Sequence, residues 1–549
     1  MLAGDETAAA LLLKGAALRT GLLGWTNETV PLPERALAVP APLCLALAAT
    51  TAAWPRVTVG LTEAAPVVLP PSTVREAARQ ARALVRDDRA GLILRTGSPA
   101  EGRAVAAELA RALDRRPAFV ETDKTAGLGV WLRLGGLLPV FPCELAPAER
   151  RVLPALPGYD GPVLAVAGPD GTIETIRGAL PAWTLPVPPA GEREALWRAA
   201  LGEPAAELAA RLARDHRHGS GRIAQIGRLA RHYAALRANG RPSPPEPADI
   251  AAAAWTGEGG GLDALAEPLR APVPDAALIT TPELRAALEL LMARCRLRDR
   301  LVEGLGCSAT ARYRPGVRAL FIGPGGTGKT LAAGWLATQL GLPLYRVDLA
   351  SVTSKYIGET EKNLAQLLAR AEQAEVILLF DEADSLFGKR TEIRDSTDRF
   401  ANSQTNYLLQ RIESYDGIVV LTSNSRARFD SAFTRRLDLV IDFPLPNPDE
   451  RRALWLAHLG TAHTLSPAEL NQLAALADLA GGHIRNAVFT AATLAAAASR
   501  PIAWADAVTG ITAEFRKLGR QLPCGLPPPG PSHLSPPAPS LSASETAPS

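Results

Sequence analysis

The chain has 549 residues, 47% of them hydrophobic, and a formal net charge of +3. A chain of this length exceeds one hydrophobic core and predicts several domains. The nearly neutral charge gives no electrostatic reason to expect nucleic acid as the main partner. No uninterrupted apolar stretch reaches the roughly 18 residues of a membrane span, and no signal peptide is recognisable, so we expect cytoplasmic residence. The five cysteines form no CxxC pair, which disfavours zinc or a disulfide framework and fits a reducing compartment.

The N-terminal half begins with residues 1–75, a domain of unknown role with one predicted helix from Thr7 to Leu23. Residues 76–250 then read as an α/β module. An apolar run at Leu92–Leu94 leads into Gly97–Ala104, which has the spacing of a phosphate-binding loop with arginine in place of lysine and alanine in place of the hydroxyl residue. Without that hydroxyl, Mg²⁺ loses a ligand. We therefore predict a module that has lost hydrolysis and serves as a scaffold.

A glycine-, proline- and alanine-rich stretch marks a predicted linker over residues 251–280. After it, the apolar run Ala319–Ile322 precedes the eight-residue sequence Gly323, Pro324, Gly325, Gly326, Thr327, Gly328, Lys329 and Thr330. An apolar-periodic stretch beginning at Leu331 follows, so the pattern is strand, loop and helix. The glycines allow the loop amides to turn toward an anion, Lys329 reaches the β- and γ-phosphates, and the Thr330 hydroxyl can hold Mg²⁺. The sequence thus predicts a P-loop that binds ATP and Mg²⁺, with Leu331 beside the nucleotide.

Two further apolar runs end in polar residues. Val376–Phe380 leads directly to Asp381 and Glu382, which predicts a buried strand with an acidic tip. Asp381 would belong to the Mg²⁺ shell, and Glu382 would orient the attacking water. A second run, Gly417–Leu421, leads to Asn424, our candidate sensor of the γ-phosphate at the carboxyl edge of the sheet. Ordinary strand-end and turn chemistry is the alternative for each of these residues.

An arginine pair, Arg435 and Arg436, lies in a segment that is followed by another apolar run ending at Phe443. With these motifs in this order, the chain resembles the AAA (AAA+) ATPases from about Thr281 to Leu518. The arginine segment is most similar to the branch that contains spastin, katanin and the ESCRT-disassembly ATPase. The resemblance implies a parallel α/β P-loop sheet with a small helical lid, and a ring of six subunits. It also implies that both arginines act on the nucleotide of a neighbouring subunit.

The resemblance also implies a way of gripping a polypeptide. Tyr356 and Ile357 follow the predicted second strand and are similar to the family's first pore loop, where an aromatic and an aliphatic residue hold an extended chain. The alternative is that Tyr356 packs within its own subunit. A second charged loop, Phe387–Glu392, is a weaker candidate for the channel wall.

The large ATPase subdomain is predicted over residues 281–446 and a helical lid over residues 447–518. At Gly481–Asn486 the sequence departs from the branch, whose turn usually carries Gly-Ala-Asp, so Arg485 is either a phosphate sensor or a surface arginine. Residues 519–549 are a proline- and serine-rich tail, predicted to be disordered.

The upstream module repeats this plan in degraded form. Leu185–Trp197 echoes Phe443–Trp455 at a constant offset of 258 residues. Residues 76–250 are therefore predicted to be a degenerate AAA-like module, against the alternative of chance similarity between two α/β segments.

The preferred function is an ATP-hydrolysing AAA+ protein remodeller that forms a homo-oligomeric ring and threads or disassembles a polypeptide client. The first alternative is a nucleotide-gated assembly or binding module with low ATP turnover. A nucleic-acid motor or loader is the third reading, disfavoured by the neutral net charge and the aromatic pore loop.

Overall fold

A computed structural model gives the fold of the chain. It describes residues 15–525 with the exception of residues 28, 32–34, 49–53, 62–66, 87–90, 146–148, 177, 257–261, 263–264, 312, 349–358, 384–409, 427–430 and 524. Among these residues, no helix is both long and apolar enough to cross a lipid bilayer.

Two six-stranded sheets organise the chain. The first has the strand order β11–β4–β8–β6–β5–β3, and its strands are β3 (Val57–Val59), β4 (Gly91–Arg95), β5 (Arg116–Val120), β6 (Leu137–Cys143), β8 (Val163–Ala167) and β11 (Ala182–Thr184). Five strands are parallel, and only the edge strand β3 is antiparallel to its neighbour. Their side chains are buried on both faces, which explains why these strands are apolar runs without alternation.

The second sheet has the strand order β12–β14–β15–β16–β13–β17. Its strands are β12 (Ala266–Pro268), β13 (Val317–Ile322), β14 (Leu344–Val347), β15 (Ile377–Phe380), β16 (Ile418–Ser423) and β17 (Leu439–Asp442). Again five strands are parallel and the edge strand β12 is antiparallel. The two sheets have the same topology position by position, so the predicted second α/β module is present in the structure.

Helices cover both sheets. In the first half the helices are α1 (Ala16–Arg19), α2 (Ala41–Ala48), α3 (Pro71–Arg86), α4 (Pro99–Ala112) and α5 (Leu128–Leu134). This half also has two small sheets. One pairs β1 (Gly24–Thr26) with β2 (Ala36–Ala38), and the other contains β7 (Arg150–Val152), β9 (Thr172–Thr175) and β10 (Gly178–Ala179). A four-helix group follows: α6 (Ala190–Leu201), α7 (Ala206–Asp215), α8 (Ser220–Arg237) and α9 (Pro247–Thr256).

The second half has matching helices. Around its sheet lie α10 (Pro282–Leu297), α11 (Cys307–Thr310), α12 (Lys329–Leu340), α13 (Glu359–Ala374) and α14 (Ser431–Thr434). Its four-helix lid consists of α15 (Pro448–Leu459), α16 (Pro467–Leu476), α17 (Gly481–Ala497) and α18 (Trp504–Lys517). Each four-helix group has a hydrophobic core of its own, separate from the sheet cores.

The two lids share internal contacts as well as helices. Trp197 and Trp455, which are 258 residues apart, are both fully buried. Arg193 donates from Nη1 to the carbonyl oxygen of Pro188 and from Nε to that of Ala213. The corresponding Arg451 makes the same pair of bonds to the carbonyl oxygens of Pro446 and Ala474. Repeated buried contacts of this kind support a duplicated unit over a chance likeness of two α/β segments.

Two segments differ from the sequence expectation. Within the predicted helix from Thr7 to Leu23, the described part is helical only in α1, and the chain turns after Arg19 into β1. The predicted linker over residues 251–280 contains β12, whose Ala266 belongs to the core of the second sheet. Three residues of strand within a proline-rich stretch carry too little periodicity to be recognised, and their pairing with β14 is a tertiary contact.

The lid of the first module lies against the second module through buried charges. Arg193 pairs with Asp299 at 2.8 Å, and Arg217 pairs with the same carboxylate at 2.6 Å. Glu375, in the turn between α13 and β15, accepts a bond from Arg298 and lies 2.5 Å from His218 Nδ1. Most of these groups are removed from water, so their partners, and not solvent, must balance their charges.

Candidate nucleotide-binding site

The predicted phosphate loop connects the end of β13 to the start of α12. Gly326 and Gly328 have φ angles of 80° and 96°, in the left-handed region that favours glycine. A Cβ atom on Gly323 would lie 2.1 Å from the carbonyl oxygen of Phe443, so only glycine fits where β13 passes β17. The loop therefore has the turns that direct backbone amides toward an anion, at the positive end of a helix.

Lys329 places its ammonium group inside this loop. Its side chain is buried, with 8% exposure, and Nζ donates to the carbonyl oxygens of Gly323 at 2.6 Å and Pro324 at 2.9 Å. A third bond runs to Asn424 Oδ1 at 3.0 Å. The predicted sensor residue and the predicted phosphate-binding lysine are therefore in direct contact, although they are 95 residues apart.

The acidic tip of β15 lies beside the loop. The Thr330 hydroxyl donates to the two carboxylate oxygens of Asp381 at 3.4 Å and 3.3 Å. A hydroxyl and a carboxylate at this separation are hard oxygen ligands of the kind that Mg²⁺ prefers. The donor set thus fits a Mg²⁺ ion bound to phosphate oxygens, with Thr330 and Asp381 as its protein ligands.

The backbone of Glu382 has a conformation that residues other than glycine seldom adopt. Its φ angle is 51°, in the left-handed region. Its amide donates to the Thr422 hydroxyl at 3.0 Å, and the next amide, of Ala383, donates to the Thr422 carbonyl oxygen at 2.8 Å. The side chain is exposed beside the loop. Strain at such positions is characteristic of functional sites.

Thr422 contacts both acidic residues, although the sequence analysis assigned it no role. Its hydroxyl donates to Asp381 Oδ1 at 2.5 Å while it accepts the amide of Glu382. One side chain therefore fixes both acidic residues. The available signal was its position at the end of β16, the neighbour of β15, but only the sheet register shows that this hydroxyl meets Asp381.

The remaining predicted residues of the loop are accessible. Pro324 and Gly325 are exposed, the Thr327 hydroxyl donates to the Pro324 carbonyl oxygen at 3.0 Å, and Leu331 is 41% exposed in the first turn of α12. Tyr356, Ile357 and the loop Phe387–Glu392 lie outside the described residues.

Arg435 and Arg436 are far from the loop of their own subunit. Both are exposed and line a cavity of about 760 Å³ together with Arg318, at the start of β13. Arg436 Nε lies 3.2 Å from Glu413 Oε2. The phosphate loop is at the other end of β13, a six-residue strand that spans about 17 Å at roughly 3.3 Å per residue. The pair faces away from its own nucleotide site.

The lid touches the phosphate loop through α17. The amide of Gly482 donates to the Gly326 carbonyl oxygen at 2.9 Å. Gly482 is a second residue that sequence reasoning missed, and the close approach to Gly326 explains why it lacks a side chain. Arg485 is exposed in the next turn of the same helix, with Nη2 3.4 Å from Asn486 Oδ1. The phosphate-sensor assignment of Arg485 stays a prediction.

The corresponding loop of the first module is closed. Helix α4 begins at Pro99, so residues that would form the loop are helical. The Ser220 amide donates to Glu101 Oε1 at 3.2 Å, and the Ser220 hydroxyl bonds the same carboxylate. A Cβ atom on Gly221 would lie 2.1 Å from Ser98 Oγ, so the lid is in close contact with this loop. A side-chain carboxylate thus occupies the helix terminus where the other module has an open loop.

Replacing Thr422 tests its role in positioning the acidic pair. Thr422→Val removes the hydroxyl bonded to Asp381 and to the Glu382 amide, and we expect kcat for nucleotide hydrolysis to fall about 10- to 100-fold. Thr422→Ser keeps the hydroxyl and is the matched control, with kcat within about threefold of the parent by the same reasoning. Steady-state hydrolysis and nucleotide titration measure kcat and affinity separately. Equal kcat values for the two variants would contradict the positioning role.

The closed loop of the first module predicts one nucleotide per chain. Lys329→Ala removes the only loop lysine of the second module, so we expect calorimetric titration with a non-hydrolysable ATP analogue to fall from one bound nucleotide to none. Arg103→Ala, at the matching position of the first module, is the control and should leave one. A nucleotide that is still bound with similar affinity in Lys329→Ala would show that the first module is a binding site.

A comparison with known protein families gives a match that includes the residues of this site. Residues 319–445 match the family described as ATPase family associated with various cellular activities (AAA). The range runs from β13 to just past β17 and includes every predicted catalytic and nucleotide-binding residue. The predicted resemblance to the AAA ATPases is therefore confirmed over residues 319–445.

Several curated relatives are similar to part of this chain. Vacuolar protein sorting-associated protein 4B of Pongo abelii is 34% identical over 178 residues, which are 31% of this chain and 39% of that protein. Proteasome-activating nucleotidase 2 of Halobacterium salinarum is 30% identical over 173 residues, 30% of this chain and 42% of that protein. An uncharacterised AAA family ATPase of Sinorhizobium fredii, y4kL, is 36% identical over 131 residues, 24% of this chain and 39% of that protein. The chain therefore spans about two fifths of the length of these relatives, and over residues 319–445 it carries a domain of the AAA ATPase family.

Proposed function

We propose that this chain is an ATP-hydrolysing AAA+ remodeller that works on a polypeptide client as a homo-oligomeric ring. The observation that carries the ATPase assignment is the convergence of Lys329, Thr330, Asp381 and Glu382 at one edge of the second sheet. Lys329 and Thr330 begin α12, Asp381 and Glu382 follow β15, and Thr422 of β16 holds the acidic pair in a fixed relation to the loop.

The residues of the site divide the chemistry among them. The loop amides and Lys329 bind the phosphates, and exchanging the carbonyl partners of Nζ for phosphate oxygens strengthens its bonds. Thr330 and Asp381 would hold a Mg²⁺ ion, whose positive charge would neutralise the phosphates. Glu382 orients and polarises the attacking water, and Asn424, already bonded to Lys329, contacts the terminal phosphate.

Hydrolysis by this chain is proposed to require a neighbouring subunit. Arg435 and Arg436 line a cavity at the opposite sheet edge from their own loop. They are accessible for a neighbour's nucleotide, where an arginine contributes about 10³- to 10⁵-fold in related phosphoryl transfer. A closed ring, which we propose to be hexameric, gives every site such a neighbour.

A polypeptide is the proposed client. Tyr356 and Ile357 are an aromatic and an aliphatic residue that bind an extended chain by apolar area and stacking, with little sequence preference. The names of two relatives, a proteasome-activating nucleotidase and a vacuolar protein sorting-associated protein, are consistent with protein clients.

Subunit mixing tests completion of the site in trans. Glu382→Gln subunits bind ATP but turn over very slowly, and Arg435→Ala/Arg436→Ala subunits lack the donated guanidinium groups. Each variant alone should lose at least about 100-fold in kcat. Mixtures should regain activity, because intact acid and intact arginines meet at some interfaces. In the unsubstituted protein, ATP hydrolysis per subunit should also fall when the protein is diluted until it is monomeric. Mixtures no more active than the sum of their parts would contradict the model.

A client assay distinguishes a remodeller from a nucleotide-gated module. We expect an unfolded protein to stimulate ATP hydrolysis, and Tyr356→Ala to abolish that stimulation because the aromatic contact is lost. Tyr356→Phe is the matched control and should retain it. Glu382→Gln should hold the same unfolded protein in a pull-down. Low turnover without stimulation, unchanged in Tyr356→Ala, would favour the gated module, and stimulation by DNA would favour a nucleic-acid motor.

A further inference from the structure

A buried cluster joins the two modules at a distance from the nucleotide site. We call His216, His218 and Glu375 the interface triad. The two histidines follow α7 in the lid of the first module, and Glu375 follows α13 in the second module. The three side chains are 7%, 5% and 6% exposed, so each is more than nine-tenths buried.

The triad has the spacing of a metal site. One ring nitrogen from each histidine and one Glu375 oxygen all lie within 4.8 Å of one another. The backbone of His216 is extended, with φ −122° and ψ 145°, and in an extended segment positions two apart lie on the same side. The two imidazole rings are parallel, with centroids 5.3 Å apart and an interplanar angle of 1°.

The hydrogen bonding of the imidazoles is incomplete. Nδ1 of His216 and Nδ1 of His218 have no hydrogen-bond partner among the described residues, although both atoms are buried. His218 Nδ1 nevertheless forms an ion pair with Glu375 Oε2 at 2.5 Å, so His216 Nδ1 is the buried ring nitrogen that has no partner among the described residues. Buried polar atoms are nearly always paired, and an exception calls for a bound water or ion.

Glu375 is oriented by groups outside the triad. Its Oε1 accepts a bond from Arg298, and the amide of Arg217 lies 2.7 Å and 2.8 Å from its two oxygens. Carboxylates that bind metals are commonly held by such secondary hydrogen bonds. One carboxylate can serve both an arginine and an ion, because each of its oxygens carries two lone pairs.

We propose that His216, His218 and Glu375 bind a divalent ion of the zinc class, which ties the lid of the first module to the second module. Two imidazoles and a carboxylate suit zinc better than magnesium. A tetrahedral zinc with bonds of about 2 Å keeps its ligand atoms about 3.3 Å apart. Because the two imidazole rings are parallel, one of them has to rotate for both ring nitrogens to point at the ion. A water fills the fourth position. The sequence analysis disfavoured zinc because the cysteines form no CxxC pair, but the interface triad contains no cysteine.

Metal analysis of the full-length, untagged protein tests the site directly. After incubation with zinc chloride and dialysis, we expect about one zinc per chain by plasma mass spectrometry, retained in excess Mg²⁺. Substitution with Co²⁺ should give visible absorption bands of a tetrahedral site, a signal that requires ligation. Wild-type protein without stoichiometric zinc and without those bands would overturn the proposal and leave a buried water as the partner of the imidazoles.

Variants locate the ion. His216→Ala and His218→Ala should each weaken zinc binding by at least about 100-fold, more than loss of a secondary contact causes. His232→Ala, which changes an exposed histidine of the same lid, is the matched control and should bind like wild type. Gel filtration and circular dichroism check that each variant is folded. Unchanged zinc content in both folded triad variants would place the ion elsewhere and also overturn the proposal. The nucleotide-binding site is tested separately, by ATP hydrolysis.

Discussion

The alignment of β13, β15 and β16 is the constraint on which the candidate site depends. These parallel strands are adjacent, and their register sets Phe380 opposite Leu421 and Ile322 opposite Ser423. The residues that follow each strand therefore emerge at one edge, where the Thr422 hydroxyl meets Asp381 and Asn424 meets Lys329. A slip of one residue would turn each of these side chains to the other face of the sheet. The chemistry thus depends on buried apolar packing that holds the register.

The two modules share one topology, but the equivalent loop is open in the second module and closed in the first. In the second module, glycines with positive φ keep the loop open before the helix begins at Lys329. In the first, the helix begins at Pro99, and Glu101 is bonded to the lid through Ser220. A carboxylate at a helix N-terminus satisfies the same positive field that a phosphate would. The first module therefore retains its fold without an open anion site, which agrees with a scaffold role.

The contact between the modules depends on charge in a region largely shielded from water. Arg298 and the amide of Arg217 balance Glu375, while burial and the neighbouring His218 lower the pKa of His216 to about 3. Glu375 lies two residues before β15, and Asp381 directly follows that strand, so the first module contacts the segment that leads into the strand before the acidic pair. These contacts, with those of Asp299, connect the lid of the first module to the second module.

Local sequence determined the parts of this protein that short-range physics controls. The glycine pattern at Gly323–Thr330 and the apolar run before Asp381 each predicted a feature from neighbouring residues alone. The repeat at an offset of 258 residues predicted the first module from the sequence without any tertiary contact. Tertiary structure decided the rest. Strand β12 joins a sheet although its own residues carry no strand signal, and the roles of Thr422 and Gly482 arise from partners at least 40 residues away. Such contacts are set by the packing of the whole domain, because sheet register and close backbone approach leave no mark in local composition.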